Sequence, residues 1–339
     1  MKLSQFQKYM QKEKLDLCIF MNDDPNFFYF VQEKPNKSTL LVFKKGKPII
    51  LSNALEEKPK GFKVLVVKKY YEQLKKLAKQ KRVKKIGVNK KHLTHPQYLK
   101  FRRMAKLFDV EEKLLELRAQ KTPVELAKIK IACNITTKIM NKLIKNLKRF
   151  KTEKEILQFL KIETIKNDCE LAFEPIVASG KRAATPHAAK PGKISNGFLV
   201  VDFGVRYKGY CADVTRTFFK GKPSEKDKEL YYRVLLAQQK AIEKAKVGIK
   251  CWQLDAAARR SFGNLRKKFI HGTGHGIGVQ IHEKPNLLKG SKDILKENMV
   301  FTVEPGIYDD YGIRIEDDVL LTMRGKVVLT KVRKGLVSF

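Results

Sequence analysis

Between residues 112 and 147 the chain reads EKLLELRAQKTPVELAKIKIACNITTKIMNKLIKNL, a long helical pattern interrupted once, at Lys121-Thr122-Pro123. Thr122 is a good N-cap, Pro123 suits a first helical position, and Glu125 completes a capping box. One helix must stop before this point and another start after it. The break separates two unlike patterns. Upstream, LDLCIF (15–20), STLLVF (38–43), KPIIL (47–51) and FKVLVV (62–67) predict strands, while KYYEQLKKLAKQ (69–80) and HPQYLKFRRMAKLF (95–108) predict amphipathic helices. That alternation describes an α/β domain. Downstream, a second capping box (Thr152 to Glu155) opens another helix, and a strand-rich half follows from about Phe173. Helices predicted over 225–247 and 251–268 interrupt those strands, which makes the second half α+β and not a βαβ array. The expected domains are 1–118 and 119–339, in keeping with roughly 100 to 200 residues per domain.

Composition narrows the class. With 43% hydrophobic residues the chain has enough apolar surface to fold. No apolar run reaches the roughly 18 residues of a membrane span. The N-terminus, MKLSQFQKYMQKEKLDLCIF, mixes charges into its apolar residues and reads as an amphipathic helix, not a signal peptide. The five cysteines form an odd set at wide spacings, which fits small core residues in a reducing, cytoplasmic setting. The net charge of +37 invites a nucleic-acid reading. However, 57 of the 72 basic residues are Lys, whereas bidentate phosphate recognition favours Arg. The two expected domains share the surplus, +17 and +20. The densest run, KRVKKIGVNKK (81–91), reads as a solvated sheet edge. A nucleic-acid partner is not expected. His92 and His95 lie at a helix start and read as structural or exposed.

Chemistry concentrates in the second half, where four of the six histidines fall between 187 and 282. NGFLVVDFGVRYKGYCADVTRTF (196–218) predicts two strands joined around Lys208-Gly209. A turn centred there pairs even with odd positions, so Asp202 and Asp213 share a face as diagonal neighbours. Two carboxylates so placed repel unless a cation or proton lies between them. FIHGTGHGIGVQIHE (269–283) sets three histidines among four glycines, a loop whose backbone packs close to something. His271, His275 and His282 are candidates for metal ligation or acid–base work. In NMVFTVEPGIYDDYGIRIEDDVLLT (298–322), Glu304 ends one strand and Glu316 sits inside another, with Asp309 to Gly312 as the turn. A glutamate in a run like IRIEDDVLL usually faces solvent, so Glu304 is the more unusual placement. Oxygen-rich ligation with an imidazole suits divalent ions of borderline hardness, such as manganese, cobalt or zinc. A pair of such ions can serve a hydrolytic step.

The order and spacing of these motifs resemble the pita-bread metallopeptidases, in the Xaa-Pro aminopeptidase and prolidase branch. The likeness rests on VVDFG, GYCADVTRTF, HGTGHGIG, FTVEPGIY and GIRIEDDVLLT. It is strong over about 170–325 and looser upstream, where the chain looks like a creatinase-type N-terminal domain. The resemblance implies an α+β pita-bread catalytic domain behind a smaller α/β creatinase-like domain. It implies a homodimer and two divalent ions, manganese foremost, with cobalt or zinc as alternatives. Asp213 and Glu316 would bridge the ions, Asp202 would chelate one, and His275 and Glu304 would complete the other. Glu304 would also take a proton from the attacking water. His282 would contact substrate and steady the oxyanion, His187 would lie on the substrate side, and His271 near the proline-binding end. Tyr308 and Arg314 look like the pair that orients the ligands. The implied reaction is removal of an N-terminal residue from a following proline, as an aminopeptidase or, alternatively, as a dipeptidase restricted to dipeptides. A non-catalytic pita-bread binding module is disfavoured because all five ligand types are present.

Overall fold

The break at Thr122 is built as its residues require. Thr122 Oγ1 accepts the Glu125 N–H at 3.3 Å, and Glu125 Oε2 accepts the Thr122 N–H at 2.8 Å. Helix Glu111–Ala119 ends before it and helix Pro123–Asn146 begins after it. The computed structural model describes residues 2–339 except His187 and Ala189. The chain divides into two units, Met1–Leu117 and Arg118–Phe339.

The first unit is a six-stranded mixed sheet in the order Lys63–Val66, Ile49–Ser52, Ser38–Phe43, Leu17–Met21, Lys85–Val88, Lys106–Asp109. Side chains alternate across its faces. Cys18 and Phe20 join Phe6, Met10 and Phe27 in one apolar cluster, while Leu17 and Ile19 join Leu74, Leu77 and Phe101 in the other. Two expectations need correcting. The helix predicted over 95–108 stops at Arg102, and Lys106–Asp109 is an outer strand parallel to Lys85–Val88. Backbone pairing to a neighbour outweighs helical propensity there. The basic run is also no solvated edge: Lys85–Val88 lies between two strands, with Ile86 and Val88 fully buried. Gly87 makes this possible, because a Cβ there would stand 2.5 Å from Cys18 Sγ.

Among its described residues, the second unit carries helices Pro123–Asn146, Glu153–Lys166, Glu225–Lys244 and Trp252–Ser261 with four small sheets. One sheet sets Gly197–Phe203 between Ile176–Ser179 and Val214–Lys220. A five-stranded sheet runs Glu283–Leu287, Gly274–Gly276, Val300–Val303, Asp317–Thr322, Gly325–Val328. Its core joins Phe301 and Val319 to Val234 and Leu254 of the two later helices. Among the described residues no helix is long and apolar enough to cross a membrane.

The hairpin turns at Lys208 (φ 45°) and Gly209 (φ 79°), both left-handed, as a two-residue turn of this kind needs. Asp202 pairs with Thr215, and Arg206 with Cys211, so one register runs through both ends of the hairpin. The strands do not run through, however. They break at Gly204, where a Cβ would lie 1.8 Å from the Ala212 carbonyl oxygen. The tip, Val205–Tyr207 with Tyr210–Cys211, joins a separate sheet.

Candidate metal centre

Strand ends deliver the acidic groups. Asp202 is the penultimate residue of Gly197–Phe203, and Asp213 directly precedes Val214–Lys220. Carrying the register across Gly204 puts them diagonally on one face, as the turn geometry predicts. His275 is the middle residue of the strand Gly274–Gly276. Its glycine neighbours are dictated by close approach: a Cβ on Gly274 would lie 2.0 Å from Thr302 O, and one on Gly276 2.0 Å from Lys284 O. Glu304 follows Val300–Val303 and donates its N–H to Thr273 O at 2.8 Å. Glu316 lies between Gly312–Arg314 and Asp317–Thr322, not inside a strand, and is buried. Its N–H reaches Thr215 O at 3.1 Å, which turns the carboxylate inward. All five line a cleft of ≈ 740 Å³.

Ligand atoms of Asp213, His275 and Glu316 lie within 4.8 Å of one another. His275 Nε2 is 3.3 Å from Glu304 Oε1 and 4.0 Å from Asp213 Oδ2. Its Nδ1 sits 3.2 Å from the Gly276 carbonyl, which only accepts, so Nδ1 carries the proton. Burial, then the neighbouring His282 ring, push His275 down to about 3, so the ring is neutral and Nε2 presents a lone pair. That lone pair faces carboxylate oxygens. Thr302 Oγ1 ties two of these groups together, accepting the His275 N–H at 3.1 Å and donating to Glu304 at 3.4 Å.

The carboxylates pay for their proximity in proton affinity. Burial, then Glu316 and Asp202, raise Asp213 well above the usual carboxylate range. Burial, then Glu304 and Asp202, do the same to Glu316. Burial lifts Glu304 to about 7, with Asp202 adding to the rise and Arg314 opposing it. Among the described residues, Asp202 Oδ1 and Asp213 Oδ1 are buried without a hydrogen-bond donor. Lone pairs converging on one space, orphaned buried oxygens and mutual repulsion are the chemistry of a divalent-cation site. The residues present therefore fit the metal.

A hydrogen-bonded frame supports the ligands. Arg314 Nη2 donates to Asp202 Oδ2 at 2.6 Å, its Nε to Thr215 Oγ1 at 3.1 Å, and its Nη1 to Tyr308 Oη at 2.9 Å. Thr215 Oγ1 donates in turn to Glu316 Oε2 at 2.6 Å. Tyr308 Oη is 2.9 Å from His271 Nε2. His271 Nδ1 faces the Gly272 carbonyl at 2.8 Å, which assigns its proton and leaves Nε2 to accept from the tyrosine. His271 is thus part of the frame, while also lining the cleft. His282 is exposed at the cleft, with its ring centroid 4.3 Å from that of His275. His187 lies outside the described residues.

Several members of this frame carry no local signal in the sequence. Asp255, in helix Trp252–Ser261, accepts from Thr273 Oγ1 at 2.9 Å, and Arg259 donates to His271 O at 2.6 Å. They fix the N-terminal end of the histidine-bearing segment. Thr215, and Asp318, whose Oδ2 accepts the Asp213 N–H at 2.8 Å, were discoverable only as polar residues two positions from a ligand.

Residues 127–323 match metallopeptidase family M24, and residues 2–120 match the creatinase/prolidase N-terminal domain. An Xaa-Pro dipeptidase of Pyrococcus furiosus is 40% identical over 238 residues, covering 67% of this chain and 68% of its own. Among solved structures, an Xaa-Pro dipeptidase from Bacillus anthracis is similar at a TM-score of 0.92 and 30% identity, over 100% of this chain and 99% of that one. An X-Pro aminopeptidase from Thermotoga maritima gives a TM-score of 0.87 at 31% identity, over 96% and 98%. The family match spans more than half of the chain and takes in all five converging side chains, and on that ground this protein belongs to metallopeptidase family M24, with a creatinase/prolidase-type domain preceding its pita-bread catalytic domain.

Proposed function

We propose that this metallopeptidase is a dinuclear exopeptidase that cleaves between an N-terminal residue and a following proline. The observation that carries the reading is the convergence of four carboxylates and one neutral imidazole on one cleft. Asp213 and Glu316 would be shared between two ions, Asp202 would hold one, and His275 with Glu304 the other. When bound, the ions supply an activated water and polarise the scissile carbonyl. Glu304 accepts a proton beside them, held in reach by Thr302. His282 stands at the open side of the cleft, where it can donate to the oxyanion that develops on the substrate. Arg314 keeps Asp202 in place through its 2.6 Å contact.

Longer peptides, and hence an aminopeptidase, are favoured by the rim of the cleft. Ile270 and Leu288 line it while remaining 63% and 43% exposed, an apolar surface for residues beyond the proline. Dipeptidase action is the second reading, favoured by the names of the Pyrococcus and Bacillus relatives. The test is hydrolysis of Xaa-Pro dipeptides against Xaa-Pro tripeptides by metal-free protein titrated with manganese, cobalt or zinc. Metal-dependent cleavage at Xaa-Pro is expected, with tripeptides preferred. Preference for dipeptides would select the second reading, and no cleavage of either with metal bound would refute both.

A further inference from the structure

A second buried charge cluster adjoins the cleft-lining His282 in sequence. Glu283 immediately follows His282 and its side chain is 1% exposed. Its Oε1 accepts the Gln280 N–H at 3.1 Å and stands 3.1 Å from Arg118 Nη2. The same Arg118 nitrogen donates to Gln280 Oε1 at 2.5 Å. Lys121 Nζ approaches the other Glu283 oxygen at 3.5 Å. Arg118 comes from the end of helix Glu111–Ala119 and Lys121 from the break that follows it, and both side chains are at most 2% exposed. The break itself is tied down, since Lys121 N–H donates to Asn298 O at 2.8 Å and Gln120 bridges to Met299.

Stability alone is a poor account of this arrangement. A buried ion pair is often no more stabilising than well-packed apolar side chains of the same volume. What it does provide is a single geometry. Residues 277–282 form an irregular connection between Gly274–Gly276 and Glu283–Leu287, with Gly276 just before it and Gly278 within it. Its Gly278 leaves room for the Glu283 carboxylate, because a Cβ there would lie 2.5 Å from Oε2. Backbone bonds also hold this segment, from Ile277 N–H to Val300 O at 3.1 Å and from Cys211 N–H to Gly278 O at 2.8 Å, and the clamp adds a side-chain anchor at its His282 end.

We infer that Arg118, assisted by Lys121, is a positioning residue: it grips Glu283 and Gln280 and thereby holds the His282 segment in its working place against the cleft. The role for the reaction rests on the assignment of His282 in the proposed function. The clamp itself does not.

The experiment uses the full chain loaded with manganese, comparing Arg118→Met, Arg118→Lys, Glu283→Gln and His282→Ala. Hydrogen–deuterium exchange is followed over 277–283, alongside kcat, KM and bound manganese. For Arg118→Met, exchange of that segment is expected to rise roughly tenfold, with other regions unchanged. Its kcat should fall about 10- to 100-fold, with manganese retained and KM moving less. Arg118→Lys should recover part of both effects. Should Arg118→Met fail to fold, Glu283→Gln keeps the shape and removes the charge, and the same loosening is expected there. Unchanged exchange in either folded variant overturns the clamp, as does loss of manganese in step with turnover. Normal turnover in His282→Ala, or no Xaa-Pro cleavage by the parent, refutes the functional reading, and exchange still decides the clamp.

Discussion

Asp318 Oδ2 accepts the backbone N–H of Asp213 at 2.8 Å, joining residues 105 positions apart. The same oxygen receives Cys133 Sγ at 3.3 Å. Asp318 therefore sets the backbone from which the central carboxylate projects. Burial pushes its carboxyl up to about 8, so at neutral pH in the metal-free protein it is largely the neutral acid. Asp318→Ala strands a buried N–H and should cost about 1–3 kcal/mol, measured by urea unfolding of the metal-free protein. Asp318→Asn, neutral and of the same shape, should lose less. Equal losses would show that the hydrogen bond to Asp213 is not what matters there.

Asp213→Asn separates stability from function. In the metal-free protein it removes one of the mutually repelling carboxylates around Glu316 and Asp202, so unfolding should shift to higher urea. Added manganese should then stabilise the variant far less than the parent, and turnover should be abolished. A metal-induced shift equal to the parent's would remove Asp213 from the ligand set.

The pH dependence of the metal-free protein follows by linkage. Asp213, Glu316, Glu304 and Asp318 have folded-state values above their unfolded ones, with Glu304 at about 7 and Asp318 at about 8. The folded state then binds more protons than the unfolded state between the ordinary carboxylate range and those values, so stability falls as pH rises through that window. Unfolding midpoints should be lower at pH 8 than at pH 5.5. Saturating manganese should flatten the trend and release protons on binding, which calorimetry in buffers of different ionisation enthalpy reads directly.

Gly274→Ala tests the close strand approach that places His275. The new Cβ would meet backbone, 2.0 Å from Thr302 O and 2.7 Å from its carbonyl carbon, so neither strand can yield by a rotamer change. A loss at or above the roughly 1–3 kcal/mol typical of overpacking is expected, with metal affinity falling as His275 is displaced. Parent-like melting and metal affinity would mean that the two strands separate at little cost.

Much of this architecture was legible because its causes are local. The caps at Thr122 and Thr152, the left-handed turn at Lys208-Gly209 and the alternation of LDLCIF each act within a few residues. Parity across the turn was enough to bring Asp202 and Asp213 to one face. Five motifs in order then pointed to the family. The misread elements were those decided by distant partners. Lys106–Asp109 becomes a strand because Lys85–Val88 offers it a ladder, and Glu316 turns inward because Thr215, 101 residues away, takes both its N–H and its carboxylate.

The sequence by itself thus determined the two-part plan and the hairpin, since period, capping and turn chemistry are written in short stretches, and its motifs offered the candidate ligands. Only the tertiary structure decided which partners meet in the frame around them: Arg314 on Asp202, Asp318 under Asp213, Arg118 on Glu283. Each of those contacts spans more than 100 residues. Its partner is chosen by which buried charge or N–H is left needing one after the chain has packed, and no local pattern encodes that need.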